Sequence, residues 1–168
     1  LSKMVKTLLD MSELQTVSRD ETIAVDALVD EVLVDLEPLA QEKEIKLIGN
    51  CKDTTMVGSD ILIYRMVYNL VENAIKYNHF GGQVTVTAYR SGKNICLSVE
   101  DTGSGIPAEL KERIFEPFFR VDKSRSRQLG GVGLGLALVR EIVRVHDGRI
   151  TVQSSPSGGT IFEVVFTQ

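Results

Sequence analysis

The stretch Asn69-Leu-Val-Glu-Asn-Ala-Ile-Lys-Tyr77 constrains this chain more than any other, because it sets four polar side chains into an otherwise apolar helical pattern. Asn69, Glu72, Asn73 and Lys76 recur at i, i+3, i+4 and i+7, so at about 100° per residue they share one face roughly 100° wide. Met66, Val67, Leu70, Val71, Ala74 and Ile75 fill most of the remainder. A helix of this kind packs on two flanks and leaves its polar stripe either to water or to a ligand. Two amides, an acid and a base suit a metal and an anion held together; a solvated face fits the same pattern, and this stretch alone leaves both open.

Bulk properties narrow the setting. A chain of 168 residues fits one domain able to bury roughly 70% of its unfolded surface. A net charge of -4 argues against a duplex nucleic-acid footprint, which needs clustered Lys and Arg. Cys51 and Cys96 are too few for a disulfide scaffold or a zinc site, and Cys96, between Ile95 and Leu97 in a strand-like run, reads as a reduced structural thiol. With no run of 18 apolar residues and no signal pattern, a soluble cytoplasmic fragment is expected. Since it begins at Leu1, it is expected to be a piece of a larger protein. Leu1, Met4, Leu8 and Met11 follow heptad a and d spacing, widened by Val5 and Leu9. They predict a helix to about residue 16, either the end of a dimerising helical bundle or a helix packed on its own domain.

The remaining chain mixes both periodicities. Thr22 to Val25 reads as an edge strand, and Asp26 as the N-cap of an amphipathic helix reaching Lys43, with Pro38 a possible kink. Two short strands follow, 44–50 and 54–57, before Ser59 or Asp60 caps the helix described above. His79-Phe-Gly-Gly82 is expected to end that helix by glycine chemistry. Strands at 83–90 and 94–100 flank the hairpin turn Ser91-Gly92-Lys93. Beyond the loop Asp101-Thr-Gly-Ser-Gly-Ile-Pro107, a short helix is predicted over 108–114, then the aromatic segment Phe115-Glu-Pro-Phe-Phe119. Residues 120–131, with Lys123, Arg125 and Arg127 and no periodicity, read as a mobile loop. A last helix over 132–145 and two strands, 148–155 and 160–166, close the chain. The implied class is α+β: a two-layer sandwich whose mixed, mostly antiparallel sheet is covered on one face by three helices and preceded by a bundle-type helix.

Two glycine-rich stretches carry chemistry. Asp101-Thr-Gly-Ser-Gly105 puts a carboxylate at the end of a buried-looking strand, where it either receives an exocyclic amine in an apolar pocket or simply makes a turn. Gly130-Gly-Val-Gly-Leu-Gly135 feeds a helix N-terminus, a place for phosphate, although it matches neither a Walker nor a Rossmann pattern and such glycines also pack helices on sheets. His146 reads as a structural or capping histidine, and His79 as exposed trim at a helix end.

In this order, Asn69 to Tyr77, Asp101 to Gly105, Phe115-Glu-Pro-Phe-Phe-Arg120 and Gly131-Val-Gly-Leu-Gly135 resemble the N box, first glycine box, F box and second glycine box of sensor histidine kinase catalytic domains. That is the Bergerat ATP-binding fold shared with gyrase, mismatch-repair and chaperone ATPases. The likeness covers about residues 20–168; Phe119, where relatives often have Tyr, departs from it. The resemblance implies ATP and Mg²⁺, with Asn69 and Asn73 as metal ligands and Glu72 orienting or deprotonating the attacking group or a water. It implies Lys76 and Arg120 on the triphosphate, Tyr77 stacked on adenine, and Asp101 reading the adenine amine. Gly103, Gly105, Ile106 and Phe115 would shape the pocket; Gly131, Val132, Gly133, Leu134 and Gly135 would follow the phosphates, and residues 120–131 would form a lid.

By the same resemblance, residues 1–17 end a dimerisation hairpin and 18–168 form the catalytic domain. The partners are that phosphoacceptor hairpin and a response regulator, in a homodimeric parent anchored in the membrane; no nucleic acid is involved. Neither His79 nor His146 occupies a phosphoacceptor position, so the fragment is expected to bind ATP with Mg²⁺ without phosphorylating itself. A serine kinase acting as an anti-sigma factor shares the fold and is the alternative, as is a nucleotide-binding scaffold without activity.

Overall fold

Alternation of period two along the strands decides which side of the sheet the helices cover. The computed structural model describes residues 11–121 and 135–168. The heptad residues Leu1, Met4 and Leu8, the basic residues Lys123, Arg125 and Arg127, and Gly131, Val132, Gly133 and Leu134 lie outside them. The described strands are β1 (Glu21–Ala24), β2 (Lys46–Cys51), β3 (Thr55–Gly58), β4 (Gln83–Ser91), β5 (Asn94–Asp101), β6 (Arg149–Ser154) and β7 (Thr160–Thr167). The helices are α1 (Val25–Glu42), α2 (Asp60–Lys76) and α3 (Gly135–Val145).

Five strands pair in the order β2-β4-β5-β7-β6, with β2 and β4 parallel and the other neighbours antiparallel; β1 and β3 form a separate antiparallel ribbon. Val86, Val99 and Phe162 stand opposite one another across β4, β5 and β7 and are buried, as are Ala88, Leu97 and Val164 one step along. All three helices pack on this face, giving the expected α+β sandwich with a mixed sheet. Helix α2 lies between α1 and α3. It buries Leu62, Ile63, Met66, Val67, Leu70, Val71, Ala74 and Ile75, each large side chain contributing about 1.5–3 kcal/mol.

His146 ties the two site helices together. Its Nδ1 donates to the Ile142 carbonyl at 2.8 Å, and its Nε2 accepts from the Ser59 N–H at 3.0 Å. Ser59 is the N-cap of α2, its hydroxyl accepting from the Leu62 N–H at 3.3 Å. The imidazole packs edge-on against Phe166, with ring centroids 6.0 Å apart. It is therefore structural, whereas His79 is exposed.

Three local expectations are corrected. Asp26 is not an N-cap: α1 starts at Val25, whose N–H already bonds the Thr54 carbonyl at 2.8 Å, so Asp26 sits inside the first turn. The helix expected over 108–114 divides into two 3-10 turns, Ala108–Leu110 and Arg113–Phe115, because one or two turns of isolated α-helix do not repay their nucleation. Helix α2 does not end on glycine chemistry. Its C-cap is Tyr77 at φ -101°, while the left-handed Gly81, φ +79°, belongs to the turn into β4. Pro38 lies inside α1, which runs through it without interruption. At the N-terminal edge, residues 11–13 are helical and Leu14 opens a 3-10 turn; Leu14 is 2% exposed and its turn packs against α3.

Burial holds the His146 pKa below its ordinary value, against the opposing pull of the Ile142 carbonyl. The neutral ring's contribution to stability is thus complete above about pH 6.5 and is lost as the pH falls through the lower folded value. In urea unfolding at pH 7.5 and 5.5, wild type is expected to lose more stability on acidification than His146→Gln. Equal losses would show that His146 is not held neutral.

Candidate functional site

The polar face of α2 survives packing as a half-buried wall: Asn69, Glu72, Asn73 and Lys76 are all intermediate in exposure. Asn69 donates from Nδ2 to the Arg65 carbonyl at 2.8 Å, which fixes the amide's orientation and leaves Oδ1 as the presented acceptor. A Cβ built on Gly135 would lie 3.5 Å from that Oδ1, so the start of α3 stands directly across from the stripe. Glu72 and Lys76 form an i,i+4 pair at 3.6 Å with both side chains 21% exposed. A pair this open contributes little to stability and keeps both charges available to a ligand.

Asp101, at the end of β5, forms the second part of the site. The residue is 8% exposed, and its Oδ1 accepts from the Gly103 N–H at 2.8 Å and the Thr160 N–H at 3.3 Å. Burial raises its pKa, while the two N–H donors act in the opposite direction. Both of these bonds use one oxygen, so Oδ2 is presented as an acceptor. Close approach explains the glycines. A Cβ on Gly103 would meet the Tyr77 carbonyl at 2.6 Å, and one on Gly159 would meet the Asp101 carbonyl at 2.0 Å.

The bend after α2 is locked onto this turn. Asn78 is 1% exposed; its Nδ2 donates to the Gln83 carbonyl at 3.1 Å, and its Oδ1 accepts from the His79 N–H at 2.8 Å and the Thr102 hydroxyl at 3.1 Å. The Thr102 hydroxyl accepts in turn from the Gln83 N–H at 3.0 Å. Glu100 accepts a short hydrogen bond from Ser155, which holds the β6–β7 hairpin against β5.

The structure thus sets Gly135 across from Asn69 on the α2 stripe, and Asp101 with Gly103 against the bend that ends the same helix. Gly105, φ +74°, packs on the Gly158 carbonyl, and Ile106 is half-buried against the core. Phe115 is in the core itself, 7% exposed and edge-on to Phe162 at 6.2 Å. Arg120 is half-buried beyond Phe119, whose ring receives the Arg113 guanidinium at 4.5 Å. Asn78, Thr102, Gly159 and Thr160 escaped sequence reasoning. The only signal was the doubled glycine at 158–159, more than a hairpin turn needs.

Among the described residues, no group of three or more His, Cys, Asp and Glu is placed to hold a metal. A cation here would therefore depend on amide oxygens, and the oriented Asn69 Oδ1 fits a hard ion that keeps several waters.

The site thus combines a buried carboxylate at the end of β5 with a half-buried helix face of two amides, an acid and a lysine. Residues 58–168 match the family of histidine kinase-, DNA gyrase B-, and HSP90-like ATPases, and the chain belongs to that family. It is 39% identical over 166 residues to the sensor-like histidine kinase SenX3 of Mycobacterium tuberculosis, covering 96% of this chain and 40% of SenX3. It is 42% identical over 135 residues to the adaptive-response sensory kinase SasA of Crocosphaera subtropica, covering 79% of this chain and 35% of that kinase. The chain thus spans well under half the length of these curated relatives. The catalytic domain of histidine kinase ThkA superposes with a TM-score of 0.79 at 27% identity, covering 89% of this chain and 96% of that one. ThkA in complex with the response regulator protein TrrA superposes with a TM-score of 0.81 at 27% identity, covering 98% of this chain and 46% of that one.

Gly159→Ala is expected to push the β6–β7 hairpin off β5 and to cost roughly 1–3 kcal/mol, the usual penalty of overpacking. Thermal unfolding checks this, and an unchanged Tm would contradict the close approach.

Proposed function

We propose that this chain is the ATP-binding catalytic part of a sensor histidine kinase, donating the γ-phosphoryl group of ATP to a histidine on a dimerisation hairpin. The observation that carries the reading is the buried Asp101 carboxylate, held by the Gly103 and Thr160 N–H groups beside the bend that ends α2, the helix whose polar face meets the start of α3. Asp101 Oδ2 accepts the adenine amine, with Gly103 and Gly105 shaping the pocket and Tyr77 supplying an aromatic face. Asn69 and Asn73 are the residues that would hold Mg²⁺, which when bound supplies positive charge to the phosphates. Lys76 neutralises phosphate charge, joined by Arg120 and by the backbone from Gly131 to Gly135.

Positioning and charge neutralisation account for most of phosphoryl transfer, so little covalent chemistry is asked of the protein. Glu72 is placed to orient the attacking imidazole or to take its proton, its charge balanced by Lys76 at 3.6 Å. Residues 1–17 would be the end of the hairpin and 18–168 the catalytic domain. The ThkA complex supports a response regulator as the next phosphoryl acceptor. The parent is read as a homodimer anchored in the membrane. Among the described residues no helix is long and apolar enough to cross one.

Calorimetry with an ATP analogue and Mg²⁺ is expected to show binding that Asp101→Asn and Asn73→Asp each weaken at least about tenfold, or 1.4 kcal/mol. Unchanged affinity in both would discredit the site. With labelled ATP the chain alone should remain unlabelled, and adding the hairpin of the same kinase should place acid-labile phosphate on the hairpin's histidine. Acid-labile phosphate on His79 or His146 would refute this assignment.

A further inference from the structure

An α-helix leaves its last carbonyls without intrahelical partners, and many helices answer with a left-handed glycine. Helix α2 has no such residue, since Tyr77 sits at φ -101° and ψ 13°. Its end is satisfied instead from a distant part of the chain. The Lys43 ammonium, at the C-cap of α1, donates to the Ile75 carbonyl at 3.2 Å, the Lys76 carbonyl at 2.9 Å and the Asn78 carbonyl at 2.7 Å. The Lys43 carbonyl also accepts from the Gly81 N–H at 2.9 Å, so one residue grips both sides of the bend between α2 and β4. A cation against a helix C-terminus is favoured by the dipole, more so where it is partly buried, as Lys43 is.

That bend continues directly into the base side of the site. Asn78, whose carbonyl Lys43 holds, commits its side chain to Gln83, His79 and Thr102. The Tyr77 carbonyl lies so close to Gly103 that a Cβ there would approach within 2.6 Å, and the Gly103 N–H is one of the two donors that fix Asp101 Oδ1. The contacts run from the Lys43 ammonium to the carbonyls on either side of Tyr77, from Asn78 to Thr102, and from the Tyr77 carbonyl to Gly103, which binds the Asp101 carboxylate.

We infer that Lys43 is a positioning residue for nucleobase recognition: its ammonium fixes the Tyr77–Asn78 bend and thereby aims Asp101. Lys43 touches no ligand, and the inference rests on the ATP reading above. It makes the reach and charge of one side chain on α1 a determinant of selectivity for adenine over guanine. Guanine presents a carbonyl where adenine presents its amine, so the Asp101 acceptor opposes it, and holding the carboxylate in place offers guanine no gain.

The test is a double-mutant cycle of Lys43→Met and Asp101→Asn, read as ATP-Mg and GTP-Mg affinity by calorimetry, with circular dichroism establishing that each variant is folded. Lys43→Met is expected to weaken ATP binding about tenfold, the scale of losing charged hydrogen bonds, while GTP affinity changes little, so that the ATP-to-GTP ratio falls. In the Asp101→Asn background it should cost nothing further. Lys43→Arg, which keeps charge and donors, should restore part of the ratio. Should Lys43→Met not fold, Lys43→Gln is judged by the same ratio. An unchanged ratio in a folded variant, or losses that simply add in the double variant, would overturn the inference while leaving the ATP reading intact. Absence of ATP binding by wild type would overturn the ATP reading itself.

Discussion

Everything at the site depends on keeping one carboxylate at the end of a buried strand. Removing Asp101 from water is unfavourable, and the fold offsets that cost with backbone donors rather than with a cation. The Gly103 donor comes from the turn that follows β5, and the Thr160 donor from the first residue of β7, the neighbouring strand. This choice dictates the glycines, because two backbone segments must approach the same residue more closely than any Cβ permits. The Glu100–Ser155 contact adds a side-chain tie between β5 and the hairpin that supplies the second donor.

Helix α2 solves the complementary problem of exposing charge without surrendering core. Flanked by α1 and α3 and seated on the sheet, it buries eight side chains and still keeps a polar strip clear. The strip is ordered by its own chemistry: Asn69 is anchored back to Arg65, and Glu72 and Lys76 balance each other. Both helix ends are secured from elsewhere, the first turn through Ser59 and His146 and the last through Lys43. A helix held at both ends by other elements keeps its position when its open face is charged.

The layer architecture and most element boundaries were legible in the sequence because both derive from periodicity, which a single chain displays directly. The stripe Asn69, Glu72, Asn73, Lys76 was legible for the same reason. What escaped depends on backbone geometry that no residue type announces. Thr160 contributes its N–H, which every residue but proline has, and Gly159 is one of seven glycines in the last third of the sequence that look alike as letters. Lys43 looked like the polar end of an amphipathic helix; only the meeting of two bends shows what it caps. The predicted glycine stop at 81–82 failed for the same reason, a remote side chain having taken the place of a local turn.

Leu14 alters where this domain can be said to start. Composition places the change of character after residue 17, yet Leu14 is almost wholly enclosed and its turn lies against α3. The unit that closes its own core therefore reaches back past the polar break, into the segment read as the end of a bundle. A displacement of Leu14 would leave a void beside α3, the helix that carries the far wall of the site. The seam between the two parts is thus a shared volume rather than a length of linker.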